Sequence, residues 1–140
     1  MKKLKLRNIL MILVLVSGIL VFAACDGANS ASWTMVVNHS EQSLNDGFRI
    51  SVGSARSGRR NRTFNLSAEE LAAMHINSSS DQGEIILVIS QNGTEDGTEV
   101  TKDISNFSGG VDTSTLNPGR IRLSFHFDNV RNSNTTVSWR

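Results

Sequence analysis

The 140-residue chain has no tyrosine, a single proline and a single cysteine. One cysteine excludes an internal disulfide, so no covalent staple supports the fold. It also leaves no Cys/His spacing for zinc, because His39, His75 and His126 are scattered along the chain. Two tryptophans and six phenylalanines are the only aromatics, few for a surface that stacks on sugars or bases. No G-x-S-x-G occurs, so a nucleophile elbow is absent. Only one long apolar run exists, Ile9 to Ala24, and its sixteen residues fall short of the roughly 20 that a membrane-spanning helix needs.

That run has a function of its own. Lys2, Lys3, Lys5 and Arg7 precede it with no acid among them, and small residues followed by polar sequence close it. A basic head, an apolar segment and a small-residue exit make a secretory signal peptide. The stretch Val21-Phe22-Ala23-Ala24-Cys25 resembles the lipobox of bacterial lipoproteins. The resemblance implies cleavage before Cys25 and attachment of diacylglycerol to its sulfur. Phe22 departs from the aliphatic residue usual at its position. Two acyl chains would hold the protein stably, since each buried CH₂ contributes about 0.8 kcal/mol. The expected location is therefore the cell membrane, lipid-anchored and facing the extracytoplasmic side. Without the four signal bases, ten basic residues face thirteen acids, and the net charge of +1 becomes about −3. Nucleic-acid binding gains no support from that balance.

The expected organisation is a signal peptide over residues 1–24, a flexible tether over 25–32 and one domain over 33–140. Ile121 to Asp128 alternates apolar and polar residues, the period of a half-buried strand. Phe48-Arg-Ile50-Ser-Val52, Phe64-Asn-Leu66 and Val137-Ser-Trp139 do the same, and Trp33 to Val37 does so less regularly. Ile85 to Ile89 is continuously apolar and predicts a central strand covered on both faces. Val100, Lys102 and Ile104 predict a weaker or edge strand. Turns are expected at Asp46-Gly47, Asn92-Gly93, Gly109-Gly110 and Asn117-Pro118-Gly119. Ser67 and Glu70 form a capping box for one short helix, reaching as far as Met74. The fold class expected is all-β: a single antiparallel, jelly-roll-like β-sandwich of about eight short strands with one helical turn, after an N-terminal signal helix. From about residue 62 to 140, the order of buried strand, Asn-Gly loop, Leu116-Asn-Pro-Gly119 and closing Val-Ser-Trp resembles prepeptidase C-terminal domains and jelly-roll carbohydrate-binding modules. That likeness bears on fold alone.

Three groups of side chains are candidates for chemistry. Ser124, His126 and Asp128 share one face of a strand, but neighbours two apart stand about 6.6 Å from each other, too far to relay a proton directly. The expected role is a solvent-facing polar row, so no catalytic residue is assigned. Glu95, Asp96, Glu99 and Asp103 could offer oxygen ligands to calcium, yet lack EF-hand spacing and read as a solvated loop in residues 95–103. Arg49, Arg56, Arg59, Arg60 and Arg62 could meet an anionic polymer, while Gly53 to Asn61 reads as a mobile hairpin loop. Lipidation at Cys25 is the one site assigned, with no metal and no cofactor. The expected function is a non-catalytic binding or accessory domain of unknown ligand, and the expected state is a monomer. Its partners are the membrane through the anchor and a glycan or protein ligand. A carbohydrate-binding module and a small surface hydrolase stand as alternatives.

Overall fold

A computed structural model describes residues 30–91 and 98–140. Cys25 with its signal segment, the Asn92-Gly93 turn, Glu95 and Asp96 lie outside the described residues. The elements are β1 (Ala31–Thr34), β2 (Val37–Leu44), β3 (Gly47–Leu66), α1 (Ala68–Ala72), β4 (His75–Ser79), β5 (Gln82–Gln91), β6 (Glu99–Asp103), β7 (Phe107–Gly110) and β8 (Gly119–Ser138). All pairings are antiparallel.

Strands β3 and β8, twenty residues each, run side by side in one unbroken register from Gly47 opposite Ser138 to Leu66 opposite Gly119. On the far side of β3 lie β1 and β2, and on the far side of β8 lie β5 and β4. β6 then extends β5, and β7 extends β4. The strands flanking this pair break at the same level. β1 and β2 part at Met35, β4 and β5 part at Ser80 and Asp81, and the ladder between β3 and β8 skips Gly53 and Arg56. Positive φ angles gather there, at Met35, Asn38, Asn129 and Asn132. Asparagine tolerates this region better than most residues.

At that level the sheet folds over on itself. Phe48 and Phe64 lie sixteen positions apart on β3, about 53 Å if the strand were straight, yet their rings stack at 5.3 Å. One layer is β2, the start of β3, the end of β8, β4 and β7. The other is β1, the end of β3, the start of β8, β5 and β6. Between them Phe48, Ile50, Val52, Ile76 and Val137 of the first layer meet Ile85, Leu87, Ile89, Leu123 and Phe125 of the second, all essentially buried. The result is the expected antiparallel β-sandwich. Side chains stitch the corner: Ser80 Oγ donates to Gln82 O (2.6 Å), Asn106 Nδ2 to Ser80 O (3.2 Å) and Asn132 Nδ2 to Asp81 Oδ2 (2.8 Å).

Several local expectations change. Two of the eight strands are long, because Gly53 to Asn61 is not a hairpin loop but the part of β3 that crosses the corner. Its small residues admit neighbours: a Cβ on Gly58 would sit 2.0 Å from Trp33 Cε3. Trp33 to Val37 is split, leaving Met35 and Val37 exposed, and β1 already begins at Ala31, inside the segment read as tether. Ile85, Leu87 and Ile89 are buried while Ile86 and Val88 are half-buried, so β5 has one core face and one partly covered face. Gly109 and Gly110 belong to β7 and do not break it. The capping box is as expected, with Glu70 N donating to Ser67 Oγ (3.2 Å) and Ser67 N to Glu70 Oε2 (2.8 Å). The helix ends at Ala72, short of Met74.

Where β5 meets the corner, its register against β8 shifts between Gln82 and Glu84. Gly83 makes this bulge with φ +88°, and a Cβ there would lie 2.4 Å from both Asn129 O and Asp128 O. Backbone atoms cannot swing aside, and a non-glycine residue held at such φ carries about 1–3 kcal/mol of strain. Gly83→Ala is therefore expected to lose stability by about that amount, read as a lower urea midpoint with unchanged slope. An unchanged midpoint would mean that the bulge relaxes freely.

Candidate ligand groove on the outer face

Cross-strand partners share a face of the sheet, so the register specifies the outer surface of the second layer. Asn61, Ser124 and Val88 form one row across β3, β8 and β5, and Arg59, His126 and Ile86 form the next. Arg122 and Ser90 continue on the other side of Ser124, with Glu99 of β6 beyond them. Seven of these residues (Arg59, Val88, Ser90, Glu99, Arg122, Ser124 and His126) line a groove of about 230 Å³.

The expected polar row is thus on the expected strand face, but it is not simply solvent-facing. Ser124, between Asn61 of β3 and Val88 of β5, is only 3% exposed, and His126, between Arg59 and Ile86, is half-buried. Burial, then the charge of Arg59, hold the His126 imidazole below its ordinary pKa. Its neutral form is therefore favoured. The row is not wired for catalysis. Asp128 Oδ1 accepts from Asn129 Nδ2 at 3.0 Å, and no hydrogen bond among the described residues joins Ser124, His126 and Asp128.

Unused hydrogen-bonding capacity lies near the groove, and also at Arg62 Nε on the opposite face of β3. Arg122 Nε is buried without a partner, and so is Asn61 Oδ1, although Asn61 Nδ2 donates to Ser30 Oγ at 2.9 Å. A buried polar atom left unpaired carries a desolvation penalty of about 1–3 kcal/mol. An open groove lined by Arg59, Ser90, Glu99, Arg122, Ser124 and His126 is suited to a polar ligand.

The arginine group expected to act together is dispersed. Arg49 Nε donates to Thr136 Oγ1 (3.2 Å), Arg56 is exposed at the corner, and Arg59 is in the groove. Arg60 and Arg62 point the other way, into the open edge between the layers. There the Arg60 guanidinium grips Glu41 of β2 through Nε and Nη2 (the latter at 2.8 Å from Oε2), and Nη1 donates to Ser30 O (3.0 Å) and Asn61 O (3.2 Å). His39 Nε2 lies 3.2 Å from the same carboxylate and Arg62 Nη1 3.7 Å from it. Arg62 also covers the Phe48 and Phe64 rings at about 5.5 Å. With every Arg60 nitrogen engaged, this cluster is a clamp between layers.

Other candidates carry less. A cleft of about 410 Å³ between α1 and the 111–118 segment has its polar atoms satisfied: Thr113 Oγ1 donates to Leu71 O (2.9 Å), and Asp112 Oδ1 accepts from Ser114 N (3.0 Å). Of the acidic group, Glu99 and Asp103 sit at opposite ends of β6, and Asp103 Oδ1 is occupied by Ser105. No group of three potential metal ligands occurs among the described residues. Arg122 and Ser90 were not singled out from sequence. Alternation along β8 places Arg122 in the row of Ser124 and His126, so that signal was present; Ser90 and Arg59 join it only through pairing.

No family model matches the chain, and a search of curated proteins finds no match. Among solved structures, the chain is similar to TmCBM61, a carbohydrate-binding module determined in complex with β-1,4-galactotriose. The two share 12% identity with a TM-score of 0.43, over 79% of this chain and 84% of that one.

Proposed function

We propose that the chain is a non-catalytic binding domain, held by lipid on Cys25 at the extracytoplasmic face of a bacterial cell membrane, with the outer groove as its ligand site. The observation that carries the binding role is the groove itself, a concave site of about 230 Å³ lined by Arg59, Arg122, His126, Ser90 and Ser124, with no ion pair among the described residues to either arginine. The unwired Ser124, His126 and Asp128 row supports binding over hydrolysis. The lipobox-like residues ending at Cys25 support the anchor.

Two measurements test the two halves. Expressed in a bacterium, the chain should fractionate with membranes, and Cys25→Ser should release it or leave an uncleaved precursor. Mass spectrometry finding Cys25 unmodified, with residues 1–24 still attached, would end the anchor. Against a panel of esterase and peptidase substrates the protein should show no turnover. Turnover abolished by Ser124→Ala would replace the binding reading with a hydrolase.

A further inference from the structure

Resting on the groove as a ligand site, we infer that its ligand is a carboxylate-bearing saccharide, bound through Arg59 and Arg122. None of the ion pairs among the described residues involves either arginine. Two guanidiniums without a carboxylate partner among the described residues, lining one groove, favour an anion that can accept charge-assisted hydrogen bonds. The groove lining contains no Phe or Trp, and the ring it does hold is the small, half-buried His126 imidazole, so a broad stacking platform for a neutral sugar is not the main source of affinity.

Spacing and chemistry narrow the class. Arg122 and His126, the partner of Arg59 in register, are four residues apart on β8, about 13 Å along the strand. The two guanidiniums thus approach from either side of Ser124 and suit a ligand carrying more than one anionic group. Ser90 and Ser124 offer hydroxyls at the floor, and Val88 supplies an aliphatic surface between them. Glu99 at the rim can accept from a sugar hydroxyl, and it opposes a densely charged polyphosphate. Nucleic acid is disfavoured by the same carboxylate and by the lack of a Phe, Tyr or Trp platform in the groove lining.

The test uses the detergent-solubilised full chain and titration calorimetry with polygalacturonate, alginate and hyaluronate, beside fully methyl-esterified polygalacturonate. At least one acidic polymer should bind, and more weakly as salt rises. Esterification should weaken polygalacturonate binding, where seen, by about tenfold or more, as should Arg122→Gln or Arg59→Gln for any polymer bound. Unaltered thermal melting would show that these variants are folded. Binding to none of the three acidic polymers overturns the inference, as does binding indifferent to esterification or to both arginine variants. Capture of polyglutamate in their place, lost in Arg122→Gln, would also overturn it while leaving the groove a binding site. Binding that maps away from the groove by chemical-shift perturbation would remove the groove reading as well.

Discussion

Phe125→Ala is expected to cost about 3–5 kcal/mol, the range for a buried phenylalanine removed with its cavity left behind. Phe125 is fully buried, and it joins the two layers. Its ring meets Phe48 of the opposite layer edge-on at 5.5 Å and lies 6.5 Å from Phe127. Few residues contribute so directly to closing the folded sheet. Against a total stability of about 5–15 kcal/mol, this loss leaves the domain close to unfolding. His126→Ala, one position along on the opposite face and half-buried in the groove, should cost far less. Chemical denaturation of the two variants checks this order. The reverse order would mean that β8 is displaced by one residue and that His126 lies inside.

How much of this was readable in the sequence varies from element to element. Ile121 to Asp128 announces its own buried face, since alternation is a local signal and Leu123, Phe125 and Phe127 all reach the core. The Ser67 and Glu70 box is equally local. The fold of the sheet is not. Gly53 to Asn61, rich in glycine, serine and arginine, has the composition of a loop, and it is extended because β1 and β8 supply backbone partners on both sides. Its small residues make room for Trp33, a partner whose position depends on tertiary pairing. The groove was half legible for the same reason. Alternation groups Arg122, Ser124 and His126, whereas Arg59, Val88 and Ser90 arrive from strands distant in sequence. The burial of Ser124 follows from those neighbours, which is why a row expected to face solvent became the floor of a groove.

The second large effect is expected at the clamp. Arg60 and Glu41 come from different layers, with side chains only 11% and 19% exposed, so removing one partner leaves a poorly solvated charge. Losses of about 3–5 kcal/mol are usual when a buried pair is broken. Arg60→Met should fall toward the lower end, because His39 and Arg62 still face the carboxylate. Acid supplies an independent readout. Burial alone would raise the Glu41 pKa, but the Arg60 hydrogen bond and charge, with His39 and Arg62, outweigh it and hold the group below its ordinary value. A carboxylate depressed in the folded state contributes stability that is present above its unfolded pKa of about 4.3. That contribution is lost as pH falls through the lower folded value. The native protein should therefore shed it below about pH 4.3, and the gap between native and Arg60→Met should narrow over the same range as Glu41 takes up its proton. Replacing both residues, as Arg60→Met with Glu41→Met, leaves no uncompensated charge and should recover part of the loss at neutral pH. A gap that stayed constant from neutral to strongly acid pH would show Arg60 acting through packing alone, and the two layers would then be held at this edge by the stacked Phe48, Phe64 and Arg62 side chains without help from the carboxylate.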